Sequence, residues 1–152
     1  MFQRNPNVKG HWKSNYKAVP KEMKISPDGL SHHSVAEKDR WVHLLTLQQA
    51  GYISELERQI PMNLVLPNGV EVRSLVRRRK SKKTGKVTFP GDKLITYNLD
   101  FRYRNKAGTI IHEEYKGHMT EKDELKLAVV QAIYQIKIHI CKSPKGKVGG
   151  DV

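Results

Sequence analysis

Two acidic residues and a lysine, Asp100, Glu114 and Lys116, have the types and the spacing of a metal-dependent hydrolytic site. Mg²⁺ prefers carboxylate oxygens, takes one or two of them from a protein, and leaves its other positions to water and substrate phosphate. A bound cation lowers the pKa of an attacking water and neutralises the charge that develops on a phosphate. Lys116 could position or activate that water, or stabilise the pentacovalent phosphate. These residue types favour phosphodiester hydrolysis that depends on Mg²⁺, with Mn²⁺ as a substitute.

A β-hairpin is the element that must bring these side chains together. Residues 94–104 and 109–116 alternate as strands do, and the turn between them carries Gly108 where a left-handed residue is needed. In the register that this turn sets, Asp100 faces Glu114 with about 5 Å between the two β-carbons. Unscreened carboxylates at that distance repel each other, and a bound cation removes the conflict. The alternative is a surface hairpin with solvated charges, which spacing alone does not exclude.

One helix is expected before this hairpin and another after it. Ser34 and Glu37 have the spacing of a capping box and open an amphipathic segment that ends at Gly51. Thr120 begins the second helix, which is expected to continue through about residue 133. Four apolar residues share one face of that helix: Leu125, Ala128, Val129 and Ala132.

Further strands complete the predicted sheet. Residues 56–66 and 70–76 flank a Pro-Asn-Gly turn and are expected to pair as a second hairpin. Residues 136–140 alternate again and predict a last strand. The order of helix, strands, helix and strand indicates an α/β (α+β) domain, in which helices pack against a central mixed sheet.

Length and charge restrict the class of protein. A chain of 152 residues has room for one ordinary domain, and its net charge of +13 favours a polyanionic partner, above all nucleic acid. The lone Cys141 excludes an internal disulfide framework, and the His32-His33 pair lacks partners at zinc-binding spacing. The sequence has no segment that resembles a signal peptide or a membrane helix. We therefore expect a soluble, cytoplasmic protein.

Composition divides the chain into three parts. Residues 1–30 are basic and contain three prolines, which predicts a partly flexible arm. Trp12 and Tyr16 in this arm could stack on exposed bases or pack back on the domain. Residues 31–141 form the predicted domain, and residues 142–152 form a predicted flexible tail.

A cationic run at residues 77–86 is the best candidate for contacts to phosphates, because such contacts add salt-dependent affinity without sequence choice. The alternative is a solvated loop, which is the usual state of a charge run. The residues that we assign to nucleic-acid binding are Arg77, Arg78, Arg79, Lys80, Lys82, Lys83 and Lys86.

Three short motifs carry a family resemblance. They are residues 97–101, the turn at Gly108, and residues 113–117, and the similarity extends over residues 16–140. Together they resemble the PD-(D/E)xK nuclease superfamily, and within it the small phage-encoded nucleases related to Holliday-junction resolvases. This chain has Leu99 at the position of the proline in the PD-(D/E)xK motif. That proline shapes the strand and does not bind metal, so its replacement leaves the implied site intact.

This resemblance implies a restriction-endonuclease/resolvase-like αβββαβ core and a divalent metal. The catalytic positions that it implies are Asp100, Glu114 and Lys116. Similar nucleases also place a metal-binding glutamate in the first helix, where Glu37 lies on the inward face. The competing role of Glu37 is structural, because the fourth residue of a capping box returns a hydrogen bond to the start of its helix.

Three further residues are candidates for supporting roles around the site. Gln59 matches the family's pattern in the first strand, and Lys126 matches a basic residue on the helix that follows the Glu-x-Lys strand. A lysine on a helix is more often simply solvated. His112 shares a strand face with Glu114 and Lys116. The competing role is structural, because a histidine opposite Arg102 could simply form a hydrogen bond with a neighbouring residue.

These observations favour a metal-dependent endodeoxyribonuclease, acting in the cytoplasm of a bacterial host if the chain is phage-encoded. The resemblance adds a preference for branched DNA such as Holliday junctions, in phage recombination or packaging, and a homodimer that makes paired cuts. Two alternatives stay open: a less selective DNA nuclease, and a non-catalytic DNA-binding module that keeps the nuclease fold.

Overall fold

The computed structural model describes residues 18–74, 79–88 and 93–149. Within these ranges the chain forms one 3₁₀ helix, two α-helices and six β-strands. In chain order they are η1 (Lys21–Lys24), α1 (Val35–Gln49), β1 (Ile53–Asn63), β2 (Arg79–Lys80), β3 (Val87–Thr88), β4 (Thr96–Asn105), β5 (Ile110–Tyr115), α2 (Glu121–Tyr134) and β6 (Ile138–Cys141).

Four of the strands form one mixed sheet in the order β1-β4-β5-β6. β4 pairs antiparallel with β1 on one side and with β5 on the other, whereas β5 and β6 run parallel. β2 and β3 form a separate two-stranded ribbon. The predicted class, an α/β (α+β) domain with a central mixed sheet, is confirmed at this level.

The hairpin predicted between residues 56–66 and 70–76 forms only near its turn, where Val65 bridges Glu71. β1 instead pairs along its length with β4. Met62 of β1 belongs to a buried apolar cluster that also contains residues of β4 and α2. The predicted hairpin is therefore confirmed over residues 64–72 and wrong for β1, because burial of an apolar face outweighs the local turn signal in choosing the partner of that strand.

The register of the β4–β5 hairpin is the predicted one. Phe101 pairs with Glu113 and Tyr103 pairs with Ile111. Gly108 in the connecting turn has a φ of +84°, a left-handed conformation that glycine adopts without steric cost. Because the register is kept, the next position along each strand is occupied by the two candidate carboxylates.

Both helices begin at the predicted caps. The Ser34 hydroxyl accepts the backbone N–H of Glu37 at 3.0 Å, and Thr120 and Asp123 form a reciprocal capping box at the start of α2. These bonds satisfy N–H groups that have no partner within the helix. No helix in the described ranges is long and apolar enough to cross a membrane.

The packed face of α2 differs from the predicted one. Leu127 and Val130 are buried, whereas Leu125 is 66% exposed and Val129 is 37% exposed. Apolar residues occur on both sides of this helix, so their spacing did not identify the side that packs on the sheet. The prediction that Leu125 and Val129 lie on the packed face of α2 was therefore wrong.

Two buried clusters hold the helices to the sheet. Trp41 of α1 packs in the first cluster with Phe101 of β4, and Val130 of α2 packs in the second with Leu99 of β4. Asp100 therefore lies where β4 passes from one cluster to the other. Its carboxylate is largely buried there, which lowers the solvation available to it.

A fully buried ion pair joins α1 to β5 and holds the segment that follows β6. Nε and Nη2 of Arg40 each donate to the Glu113 carboxylate at 2.7 Å, and the Tyr103 hydroxyl donates to the same carboxylate at 2.7 Å. The remaining N–H groups of Arg40 donate to the backbone carbonyls of Pro144, Gly146 and Lys147. Part of the segment that the sequence analysis assigns to a tail thus contacts the domain.

The described part of the predicted N-terminal arm, residues 18–30, also contacts the domain. The carboxylate of Asp28 accepts the indole N–H of Trp41 at 2.7 Å. This bond satisfies the polar atom of a largely buried aromatic side chain on α1.

Candidate active site

The β4–β5 hairpin brings Asp100 and Glu114 together in a largely buried position. Oδ2 of Asp100 accepts the backbone N–H of Tyr115 at 2.9 Å. Glu114 is 3% exposed, and its Oε1 lies 3.2 Å from Nζ of Lys116. Its Oε2 is buried and has no hydrogen-bond partner among the described residues. The cluster therefore has one carboxylate oxygen whose demand for a donor or a cation is unmet.

Electrostatics at Asp100 indicate a shortage of positive charge. Burial, and then the negative charge of Glu114, raise the pKa of Asp100 to about 7, and the N–H of Tyr115 offsets only part of this rise. A raised pKa for one of two neighbouring carboxyls is the behaviour of a pair that cannot easily ionise together. A divalent cation between them would supply the missing charge.

Lys116 is held as a cation by its neighbours. Burial alone would lower the pKa of this amine, but the carboxylates of Glu114 and then Asp123 raise it above its ordinary value. Nζ lies 3.8 Å from Oδ1 of Asp123, the residue that completes the cap of α2. A protonated lysine can position a water or stabilise negative charge on a phosphate, whereas it cannot accept a proton from the attacking water.

Gln59 links the first helix to the hairpin. Its Nε2 donates to Oε1 of Glu37 at 3.2 Å and to Oδ1 of Asp100 at 3.3 Å. Gln59 has a φ of +51°, in the left-handed region, which costs a residue other than glycine on the order of 1 kcal/mol. This geometry gives Gln59 the physical role that its sequence position alone did not reveal: its amide bridges two carboxylates.

Glu37 is buried, bonds to the start of α1 and is linked through Gln59 to Asp100. Its Oε2 accepts the backbone N–H of His33 at 3.2 Å, so the return bond of the cap goes to the residue before Ser34. Through Gln59 it is connected to Asp100. Glu37 therefore closes the start of α1 and borders the site, and direct binding of a metal by Glu37 stays a prediction.

The residues present suit a magnesium ion held by few protein ligands. Among the described residues there is no group of three or more histidine, cysteine, aspartate or glutamate side chains arranged to hold a metal ion. Asp100 and Glu114 provide two carboxylates, which is a number that Mg²⁺ commonly takes from a protein. The unpartnered Oε2 of Glu114 and the raised pKa of Asp100 are features that a divalent cation bound by the two carboxylates would satisfy.

His112 and Lys126 are near the site residues in sequence, but His112 lies within the sheet and Lys126 is exposed on a helix. His112 pairs with Arg102 across the hairpin, and burial, followed by the charge of Arg102, lowers its pKa. Lys126 is exposed on α2 and lines an open cleft beside Tyr97 and Asn98. Neither position supplies a contact to Asp100 or Glu114 that the structure describes, so their supporting roles stay predictions.

The basic run is described in part. Arg77, Arg78 and the side chain of Arg79 lie outside the described residues, as do Trp12 and Tyr16 in the N-terminal arm. The rest of the run forms the β2–β3 ribbon, in which the chain reverses before Gly85. Its exposed lysines are Lys80, Lys82, Lys83 and Lys86.

Three residues near the site were missed by reasoning from the sequence. Tyr97 lies inside the motif that carried the resemblance, and its hydroxyl is buried without a hydrogen-bond partner among the described residues. No site role was expected for Asp123, although the short link from β5 to α2 indicates that it lies near Lys116. Glu113 lies on the strand face opposite to that of Glu114, and no local signal pairs it with Arg40.

Comparison of the chain with protein-family models, with curated proteins and with solved structures finds no match.

Proposed function

We propose that this chain is a magnesium-dependent endodeoxyribonuclease whose site is formed by Asp100, Glu114 and Lys116. The observation that carries the proposal is the buried carboxylate pair, in which Oε2 of Glu114 has no partner among the described residues and the pKa of Asp100 is raised to about 7. A strained glutamine and a cationic lysine hold this pair from two sides. Such an arrangement favours a cation-dependent site over a hairpin with solvated charges.

Each residue has a task in hydrolysis of a phosphodiester bond. Mg²⁺, when bound, supplies positive charge to the phosphate and lowers the pKa of a water. Asp100 and Glu114 would hold the cation, and Gln59 fixes the carboxylate of Asp100 by donating a hydrogen bond to it. Lys116, kept protonated by Glu114 and Asp123, would orient the attacking water or stabilise charge on the phosphate oxygens.

The order of the elements supports assignment to the PD-(D/E)xK superfamily. Apart from the inserted ribbon, the chain runs α1, β1, β4, β5, α2 and β6, which is the αβββαβ order that the resemblance implies. The preference for branched DNA, the action as a homodimer and the place in phage recombination or packaging come from that resemblance. A less selective nuclease and a non-catalytic DNA-binding module are the alternatives that an experiment must separate.

Cleavage of a panel of synthetic DNA substrates tests the proposal. A four-way junction, a flap, a duplex and a single strand are incubated with Mg²⁺, and products are resolved on denaturing gels. We expect the wild type to cut, with the junction preferred, and Lys116→Met to be slower by about 10²–10³-fold because transition-state charge is no longer stabilised. Lys137→Met, an exposed lysine before β6, is the matched control and should keep wild-type rates.

Each alternative has its own result in this assay. A wild type that binds DNA but cuts nothing with Mg²⁺ or Mn²⁺ would be a binding module, and the proposal would fail. A preference for linear ends would remove the junction specificity and leave the nuclease.

The ribbon lysines are expected to contact DNA phosphates. Replacing Lys82 and Lys83 by alanine should reduce the slope of log K against log salt by about 2, since each phosphate contact contributes roughly 0.9 to that slope. Fluorescence anisotropy with labelled duplex DNA across a range of salt concentrations measures it. The control pair, Lys106 and Lys137, lies at the other end of the β5–β6 ladder from Glu114. If both double variants show the same salt slope, the affinity for DNA depends on the total charge of the protein and not on contacts made by the ribbon.

A further inference from the structure

Two buried polar atoms without partners lie at the same place in the fold. The Tyr97 hydroxyl and Oε2 of Glu114 each have no hydrogen-bond partner among the described residues, and both are shielded from water. Leaving a buried polar atom unpaired costs on the order of 1–3 kcal/mol, and folded proteins keep few of them. Two such atoms near each other therefore indicate a hydrogen bond that is incomplete in this arrangement of the site.

Tyr97 reaches Glu114 from the side of α2. It lies on β4 three residues before Asp100, and its ring packs against the buried cluster that contains Leu127 and Val130. Burial, followed by the charge of Glu114 and a side-chain hydrogen-bonding interaction with it, raises the pKa of Tyr97, so the phenol keeps its proton. Its hydroxyl thus lies close to the Glu114 carboxylate without reaching the geometry of a full hydrogen bond. Asp100 and Asp123 also face this hydroxyl, whereas Lys116 approaches Glu114 at its other oxygen, Oε1.

The burial of the hydroxyl restricts what it can do. Its accessible surface is close to zero, so neither bulk water nor a phosphate of DNA reaches it in this arrangement. The hydroxyl can then form a hydrogen bond only with a group inside the protein. Of the carboxylates that face it, Glu114 acts on it most strongly and has the unpartnered oxygen.

We propose that Tyr97 is a positioning residue of the metal site, and that its hydroxyl donates to Glu114 when a divalent cation binds. Lys116 and Tyr97 would then hold Glu114 from its two sides, so that the carboxylate cannot rotate away from Asp100. Groups that orient a metal ligand in this way contribute about 10–100-fold to metal affinity. This inference rests on the proposed function for the identity of the cation, but not on cleavage of DNA.

Tyr97→Phe isolates the hydroxyl because it keeps the packed ring. Binding of Mn²⁺ to the full chain without DNA is measured by calorimetry or by electron paramagnetic resonance at constant pH. We expect the dissociation constant of Tyr97→Phe to rise about 10-fold or more. Its metal-free stability in urea should equal or exceed that of the wild type, because the buried hydroxyl makes no full hydrogen bond in that state. A merely structural tyrosine would show the reverse, with lower stability and unchanged metal affinity.

Tyr134→Phe is the matched control. It lies at the end of α2, and its hydroxyl donates to the backbone carbonyl of Asn63 at 2.8 Å, outside the site. We expect it to bind Mn²⁺ as the wild type does. Equal affinities for Tyr97→Phe and the wild type, or a wild type that binds no Mn²⁺, would overturn the inference. A wild type that binds Mn²⁺ through Tyr97 but cuts no DNA would instead overturn the proposed function alone.

Discussion

Asp100→Asn is expected to lower magnesium-dependent cleavage of DNA by at least about 10²–10³-fold. Asparagine keeps the size of the side chain and one acceptor oxygen, but it cannot provide the negative charge that a cation needs. The loss should persist at saturating Mg²⁺, because the ligand itself is changed. Rates are compared in single-turnover assays on the substrate that the wild type cuts best.

The same substitution should stabilise the metal-free protein at neutral and alkaline pH. The pKa of Asp100 is about 7 in the folded state against an ordinary value of 3.8, so folding favours the protonated carboxyl. This favourable contribution is complete below about pH 4 and is lost as the pH rises toward 7. Asparagine does not ionise, so the variant avoids the loss, which is on the order of 4 kcal/mol at most.

Urea denaturation in EDTA at several pH values measures this effect. The difference in unfolding free energy between Asp100→Asn and the wild type should increase in favour of the variant from pH 4 to pH 8. Asp39→Asn, an exposed acid on α1, is the control and should follow the wild type. Parallel curves for Asp100→Asn and the wild type would mean that Asp100 carries no unfavourable charge in the folded protein.

Arg40→Met is expected to cost about 3–5 kcal/mol of stability, because it leaves the charge of Glu113 buried without its partner. The two side chains are 0% exposed, and every N–H group of the guanidinium has an acceptor. Chemical denaturation gives the loss in unfolding free energy. Arg102→Met is the matched control, since its ion pair with Glu57 is largely solvated and should be worth under about 1 kcal/mol.

A second variant separates the charge from the packing. In Arg40→Met/Glu113→Gln no unpaired charge stays buried, so the double variant should lose less than the sum of the two single changes. A loss for Arg40→Met no larger than that for Arg102→Met would contradict the role of this pair.

The parts of the fold that sequence predicted well are those that local chemistry decides. The β4–β5 register follows from a short turn and the alternation on either side of it, so Asp100 could be placed near Glu114 in advance. The caps at Ser34 and Thr120 are equally local. The pairing of β1 with β4 was missed because it joins segments far apart in the chain, and its energy comes from burial that no short window contains.

The site was predictable in its centre and not in its surroundings. The types and spacing of Asp100, Glu114 and Lys116 were enough to identify them as candidates. The bridge made by Gln59 depends on a left-handed backbone conformation, which no property of glutamine predicts. The buried state of Glu113 depends on Arg40, which lies 73 positions earlier in the chain. Such pairs look like ordinary surface charges until the fold is known.

The carbonyl groups that complete the hydrogen bonding of Arg40 impose an order on biosynthesis. Gly146 is made 106 positions after Arg40, and the ribosome covers a growing chain for some time after each residue is added. Until this segment emerges, the guanidinium has donors without acceptors, and water must solvate them. We therefore expect the core around α1 to be completed only after this segment is made, and chains shortened before residue 144 to be degraded by cellular proteases as incompletely folded.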